Sequence, residues 1–193
     1  MPVKESHRER QARATKEQVA RAARRLFAEQ GYVATTITAI SAAAEIPAQT
    51  IYSAFGNKPA ILREISRIWI AEADTRRLAQ ESLKIEDPAE RLRSAAHWQT
   101  RQFETGIDVI EIYQEAARAD ARMEEQKQRV WKAREQELAV FLESFEQLKP
   151  RALDIFLACT AAEIYRLLVL DRRWPIEDYE TWLGDTLVSQ LLP

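Results

Sequence analysis

A short stretch near residue 50 carries side chains whose types and spacing suit contact with a nucleic-acid duplex. Gln49 can pair bidentately with adenine N6 and N7, and Ala48 can touch a thymine methyl group. Donors suited to phosphate oxygens lie at Thr36, Thr50, Tyr52, Ser53 and Lys58. Two of these hydroxyls fall at predicted helix N-termini, where anions are favoured. The pattern predicts a DNA-reading surface, although Tyr52 could simply be packed and Ser53 simply exposed.

Charge is distributed unevenly along the chain. Residues 1–63 hold ten Lys and Arg against five Glu, a net +5, whereas the remainder holds 18 basic and 25 acidic side chains, a net −7. A basic N-terminal third is typical of an end that faces nucleic acid. A basic segment precedes and opens the first predicted helix, and it contains Arg8, Arg10, Arg13 and Lys16. It is either an arm that reaches phosphates or a minor groove, or a solvated tail. A solvated outer face of the first helix is expected for Arg21, Arg24 and Arg25.

Residue spacing argues against several kinds of catalytic or metal site. The four glycines are too far apart to form a phosphate-cradling loop. Cys159 is the single cysteine, and His7 and His97 are too widely separated for a Cys/His metal site. Helical carboxylate pairs such as Glu111 and Glu115 lack a histidine at metal-ligand spacing. We therefore expect no catalysis, no metal and no cofactor.

The chain lacks sequence signals for export or membrane insertion. Its polar N-terminus has no apolar core of the kind found in secretory signals. The most apolar stretch, 155–170, is 16 residues long and contains Glu163 and Arg166, which makes it too short and too charged to cross a bilayer. A cytoplasmic location is expected.

Helical periodicity runs through the whole sequence, without a convincing period-two stretch. Thr15 and Gln18 have capping-box spacing before an amphipathic run that ends at Gly31. Pro88 fits the opening of a later helix, and Gly106, Pro150 and Pro175 mark breaks. An all-α fold of about nine helices is predicted, at about 15–30, 36–44, 47–55, 58–83, 88–104, 107–118, 120–148, 150–171 and 177–191.

The run from residue 31 to residue 62 resembles the N-terminal helix-turn-helix of the TetR family of transcriptional regulators. The shared features are Gly31-Tyr32, Thr35-Thr36, Ile37, Ile40, Thr50-Ile51-Tyr52, Phe55 and Asn57-Lys58. The chain departs from the family pattern at Glu45, where glycine is usual, and at Pro47, where a serine cap is usual. Glu45 must then accept a turn with positive φ without glycine's freedom. The usual basic residue of the recognition helix is also missing.

The resemblance implies two functional domains. Residues 1–60 would form the DNA-binding domain with its basic arm, and residues 61–193 an all-helical domain for ligand binding and dimerisation through the last two helices. The resemblance also implies a homodimeric regulator, more often a repressor, that binds a palindromic operator. A small molecule would release this regulator from the operator. A helical protein-interaction module with a vestigial helix-turn-helix is the alternative.

Candidate ligand contacts in the second domain rest on aromatic residues near polar groups. They are Trp98, Gln102, Phe103, Tyr113, Trp131, Phe141 and Cys159, with Arg134 as a further polar candidate. Each of them also fits a core or surface position. Their mixture indicates an apolar or aromatic effector held by one polar anchor.

Overall fold

The computed structural model describes residues 6–193, and all regular structure in this range is helical. The all-α prediction is confirmed. The helices are α1 (His7–Gln30), α2 (Ile37–Ala44), α3 (Ala48–Phe55), α4 (Lys58–Ala73), α5 (Thr75–Ser82), α6 (Pro88–Ala119), α7 (Ala121–Leu142), α8 (Ala152–Cys159), α9 (Ala162–Tyr165), a π-helical segment (Arg166–Asp171) and α10 (Ile176–Leu191).

The described residues form two compact units. The N-terminal unit contains the described residues through Trp69 together with Asp108–Lys127, and the C-terminal unit contains Ile70–Ile107 and Gln128–Pro193. Helix α6 therefore contributes to both. Gly106 has non-helical backbone angles within α6, so the predicted break there is a kink inside one helix rather than a gap between two. The functional division at residue 60 remains a prediction.

Helix α1 begins eight residues before the predicted start. The Ser6 hydroxyl accepts a hydrogen bond from the Glu9 N–H at 3.2 Å, and the Glu9 carboxylate accepts one from the Ser6 N–H at 2.8 Å. This complete capping box lies upstream of the Thr15/Gln18 pair and starts the helix first. Arg8, Arg10 and Arg13 are consequently helical, so the expectation that they precede the helix is wrong. Residues 1–5, which precede these arginines, lie outside the described residues.

Three of the longer predicted helices are shorter or divided. Asp74 adopts a left-handed conformation with φ 53°, which separates α4 from α5 within the predicted 58–83 helix. Helix α7 ends at Leu142, where the Ser144 hydroxyl donates to the Phe141 carbonyl at 2.6 Å. The predicted 150–171 helix is interrupted at Thr160, whose non-helical ψ of 23° ends α8. Local periodicity continued through all three positions, so it did not reveal the breaks.

Each unit has its own apolar core. In the N-terminal unit the α1 residues Val19 and Phe27 are buried together with Ile40 of α2 and Ile51 of α3. In the C-terminal unit α10 buries a stripe with helical spacing, formed by Tyr179, Leu183, Leu187 and Leu191. Within the described residues, no helix combines the length and apolar character needed to cross a membrane.

Candidate functional site

Helix α3 exposes a polar side and buries an apolar one. Ile51 is 1% exposed and anchors the helix in the core. Gln49, Thr50 and Ser53 are exposed, and Tyr52 is 51% exposed. The Ser53 hydroxyl donates to the Gln49 carbonyl at 2.9 Å, a local bond that does not involve the Gln49 side-chain amide. The side chains predicted to read DNA therefore share one accessible helix surface, with Ala48 half-buried at its start.

The turn between α2 and α3 fixes the direction of that surface. Glu45 lies in the left-handed region with φ 53° and ψ 33°. The positive φ was predicted because Glu45 occupies the position where the family usually has glycine. The Ile46 N–H donates to the Ser41 carbonyl and the Glu45 N–H to the Ala42 carbonyl, at 3.2 and 3.3 Å. This pair of bonds is a Schellman motif. The Ser41 hydroxyl also donates to the Ile46 carbonyl at 2.7 Å, which closes the turn from the other side.

Thr36 and its neighbour Thr35 hold the start of α2. The Thr36 hydroxyl oxygen accepts the Ala39 N–H at 3.1 Å, so it is the N-cap of this helix as predicted. Thr35 is buried, and its hydroxyl donates to the Gly31 carbonyl at 2.7 Å. Thr36 remains exposed. Its proposed phosphate contact would thus occur at a helix N-terminus whose position Thr35 fixes.

Lys58 binds the loop between α1 and α2. Its ammonium donates to the carbonyls of Tyr32 at 2.6 Å, Thr35 at 3.0 Å and Val33 at 3.3 Å, and lies 4.4 Å from the centre of the Tyr32 ring. Burial lowers the pKa of Lys58, and the nearby Glu115 carboxylate opposes that shift. The predicted phosphate contact remains a prediction. The three carbonyl partners give Lys58 a structural role that its sequence position did not indicate.

The C-terminal half of α6 binds the same loop. The Glu115 carboxylate accepts the N–H groups of Tyr32 and Val33 at 2.9 and 3.1 Å. Asp108 forms two 2.6 Å hydrogen bonds with the guanidinium of Arg24, so the prediction that Arg24 is merely solvated is wrong. Both contacts join residues more than 80 positions apart. No local sequence signal could have identified them.

An open groove runs between the start of α1 and the exposed side of α3. Its cationic side chains are Arg8 and Lys16, and the Lys16 ammonium also lies 5.9 Å from the centre of the half-buried Phe55 ring. Hydroxyls from both helices face the same space. The lining residues are His7, Arg8, Gln11, Ala12, Thr15, Lys16, Thr50, Ser53 and Ala54. Cations and hydroxyl donors arranged along a groove are suited to a phosphate backbone.

The predicted ligand contacts fall in both units. Trp98, Phe103 and Phe141 are buried in the C-terminal unit, where Gln102 and Cys159 are half-buried. Trp131 of the same unit is 50% exposed. Tyr113 belongs to the N-terminal unit, where its hydroxyl accepts a hydrogen bond from the Gln126 amide at 3.1 Å. The C-terminal unit therefore gathers most of the predicted set into or around one core, and Tyr113 belongs elsewhere.

Comparison with known families gives a match over the helix-turn-helix. Residues 19–65 match the model of the bacterial regulatory proteins of the tetR family. This segment is a TetR-family domain. The match contains the α2–α3 turn, the exposed side of α3 and Lys58. No curated protein sequence matches the chain significantly.

Solved structures extend the likeness from the TetR domain to the whole fold. The fatty acid degradation regulator FadR from Bacillus halodurans is 18% identical, with a TM-score of 0.74 over 96% of this chain and 97% of that one. The TetR family regulator PfmR from Thermus thermophilus is 20% identical, with a TM-score of 0.70 over 89% and 97%. A Saccharomonospora viridis protein solved with choline is 17% identical, with a TM-score of 0.73 over 94% and 99%. The chain therefore has the fold of TetR-family transcriptional regulators.

Proposed function

We propose that this protein is a transcriptional regulator that binds a palindromic operator as a homodimer. The observation that carries the proposal is the exposed polar side of α3, with Gln49 and Thr50 accessible above a buried Ile51. In this proposal Gln49 reads adenine in the major groove, and Ala48 contacts a thymine methyl group. Thr36, Thr50, Tyr52, Ser53 and Lys58 contact the phosphate backbone.

The groove beside α3 supports the phosphate contacts. Arg8 and Lys16 line it together with Thr50 and Ser53. Cations that neutralise phosphates release counterions, so binding should weaken steeply as salt concentration rises. Because α3 itself carries no Lys or Arg, we assign most of this electrostatic attraction to the start of α1.

Exposed apolar side chains near the end of the chain support a dimer. Leu167 and Leu170 of the π-helical segment are 47% and 43% exposed, and Trp174 just beyond it is 37% exposed. Adjacent exposed apolar residues are typical of a surface that a partner covers. A second chain would place a second α3 on the other half-site, which explains the need for a palindrome.

Ligand control in this proposal is a difference in affinity between two conformations. Consider an effector that binds more tightly to a conformation in which the spacing of the two DNA-binding domains does not match the two half-sites. Such an effector must weaken operator binding. The operator must weaken effector binding by the same factor. The choline complex of the Saccharomonospora viridis relative supports small-molecule binding in this fold. We assign the effector to the core of the C-terminal unit, and repression with release by effector as the mode of action.

In this proposal the protein acts by binding and not by catalysis, and it works in the cytoplasm, where the operator DNA lies.

A protein-interaction module is the second candidate function, and one observation favours it: α3 lacks the basic residue usual in the family. The two candidates differ in their response to salt. An adaptor protein has no counterion-release slope on DNA, whereas an operator-binding dimer has a steep one.

Selection of bound fragments from genomic DNA, followed by affinity measurements on the selected sequence at several salt concentrations, tests the proposal. We expect a palindromic sequence and a linear fall of the logarithm of affinity with the logarithm of salt concentration. An Arg8→Gln, Lys16→Gln double variant should reduce that slope. Failure to enrich any sequence, or binding without a salt slope, would exclude operator binding and favour the interaction module.

A further inference from the structure

The surface that the helix-turn-helix exposes is nearly uncharged. From Gly31 to Asn57 the sequence contains no Lys, Arg or His, and Glu45 is its one charged residue. Apart from Glu45, every side chain exposed in this segment is neutral. Arginine and lysine make the commonest contacts to guanine O6 and N7. The part of the chain proposed to face bases therefore lacks the side chains that most often read guanine.

Basic side chains next to the helix-turn-helix make other contacts. The Lys58 ammonium uses its three donors on carbonyls of the loop between α1 and α2. The Arg24 guanidinium is paired with Asp108 of α6 at 2.6 Å. Arg8 and Lys16 line the groove between α1 and α3, where a phosphate backbone would lie. Electrostatic attraction and base reading are thus assigned to different helices.

Gln49 offers a base both a donor and an acceptor. It is exposed in the first turn of α3, and its side-chain amide has no hydrogen-bond partner among residues 6–193. Adenine presents a matching acceptor and donor at N7 and N6, whereas guanine presents two acceptors at N7 and O6. On guanine the amide oxygen of Gln49 would face no donor. The Gln49 amide therefore favours adenine.

The two residues before Gln49 are apolar. Pro47 is exposed as the N-cap of α3, and Ala48 is half-buried as its first residue. The first residues of a recognition helix are the ones that contact base edges. The thymine 5-methyl is the one apolar group that a base pair presents in the major groove. Pro47 and Ala48 consequently offer a contact to thymine that cytosine, which has no methyl group, cannot make.

We propose that the base pairs facing the start of α3 are A·T pairs, recognised by neutral contacts to the adenine edge and the thymine methyl group. Gln49 binds the adenine, and Ala48 with Pro47 contacts the thymine methyl. Glu45, the charged exception, is acceptor-only as a carboxylate and offers guanine no donor. This inference rests on the proposed function and deepens it by naming the class of operator, one whose contacts with α3 depend on A·T pairs and on a pyrimidine methyl group.

Base analogues placed in the selected operator test each contact with the full chain. Uracil, substituted for each thymine of one half-site in turn, removes only the methyl group. We expect one thymine at which uracil weakens binding about fourfold, as the loss of one apolar carbon contact predicts. 7-Deazaadenine removes N7, and we expect about fivefold weaker binding at one adenine, as the loss of one hydrogen bond predicts. 7-Deazaguanine, the matched analogue of guanine, should have a smaller effect at every position.

Two substitutions connect these effects to their side chains. Ala48→Gly should lower the ratio of thymine to uracil affinity at the sensitive position from about four to about one. Gln49→Ala should lower the ratio of adenine to 7-deazaadenine affinity from about five to about one. Ala54→Gly is the matched control, because Ala54 is also half-buried in α3 but lines the groove with α1, and it should change neither ratio. Each ratio compares two operators bound by the same variant, so a change in protein stability cancels.

Three results would overturn the inference: 7-deazaguanine as the most damaging analogue, no thymine or adenine at which its analogue weakens binding, or an analogue ratio that its own variant leaves unchanged. An operator with any of these properties would still be bound, so the proposed function would stand while the A·T assignment fell. Failure to select any operator would contradict the proposed function itself, and this inference with it.

Discussion

Gln49 is the side chain on α3 with the hydrogen-bonding pattern to distinguish one base pair from another. Gln49→Ala should lose discrimination at one base pair of each half-site, at a cost of about 1–3 kcal/mol. Competition binding with operators substituted at each position measures this loss. Gln30→Ala, at the exposed end of α1, is the control and should leave all affinities unchanged. Equal weakening on every sequence would show that Gln49 positions the helix and reads no base.

Lys58 illustrates how one side chain can stabilise a loop next to its proposed DNA contact. Its ammonium donates to the carbonyls of Tyr32, Val33 and Thr35. A hydrogen bond from a charged donor contributes no more than about 3 kcal/mol to the free energy of unfolding. Lys58→Met should therefore lower the free energy of unfolding by about 1–3 kcal/mol, as measured by urea denaturation.

The same Lys58→Met variant tests the predicted phosphate contact. A salt slope that falls by about one per subunit on operator DNA would support that contact. An unchanged slope would remove Lys58 from the phosphate contacts and leave only its role in the loop. Unchanged stability would contradict the structural role.

At the scale of elements, the turn between α2 and α3 decides where α3 points. Glu45 holds its left-handed φ of 53° without the freedom of glycine. Glu45→Gly should leave the free energy of unfolding unchanged or raise it by up to about 1 kcal/mol, because glycine adopts this conformation without strain. Ala42→Gly, in the right-handed part of the same α2, should instead lower it by about 1 kcal/mol. Chemical denaturation of both variants gives the signs, and destabilisation by Glu45→Gly would mean that the glutamate stabilises the turn.

The contact between α6 and the loop after α1 belongs to the same scale. Glu115 accepts the N–H groups of Tyr32 and Val33, and Glu115→Ala leaves both without that acceptor. We expect a loss of about 1–3 kcal/mol in the free energy of unfolding, together with faster amide exchange at Tyr32 and Val33. Glu29→Ala, which removes an exposed carboxylate near the end of α1, should change stability by less than about 0.5 kcal/mol. Equal effects of the two variants would show that the loop does not depend on α6.

At the scale of the whole molecule, the proposed dimer depends on the exposed apolar residues after α9. Leu170→Glu should convert the dimer to a monomer without unfolding it, because the residue is 43% exposed in the single chain. Sedimentation velocity and circular dichroism measure the two properties. Binding to a palindromic site should be lost although α3 is unchanged, since one α3 contacts only a half-site.

Val140→Glu is the control for Leu170→Glu, because Val140 is 64% exposed on α7 of the same unit. It should remain dimeric. A Leu170→Glu variant that still forms a dimer and protects the palindrome would place the dimer interface elsewhere. Deletion of α10 is a poorer test, since it would remove the buried Tyr179, Leu183, Leu187 and Leu191 from the core.

Much of the fold could be predicted from the sequence because its signals are local. Apolar spacing of 3.6 residues, caps such as Thr36 and stops such as Gly31 act within one or two helical turns. The positive φ of Glu45 followed from one position in a short motif. These signals determined the all-α class, the helix-turn-helix and the exposed side of α3. They failed where a competing local signal was stronger, as with Ser6–Glu9 at the start of α1.

Only the tertiary structure decided which distant residues meet. Glu115 with Tyr32, Asp108 with Arg24, and Arg134 with Gln99 and Thr160 are pairs separated by 26 to 84 positions. Tyr113 likewise joined the N-terminal unit and not the other predicted ligand contacts. Helical periodicity shows which side of a helix is buried, but it carries no information about the helix that covers it. Partners of these half-buried charges therefore depend on the packing of the whole chain, and the sequence alone could not supply them.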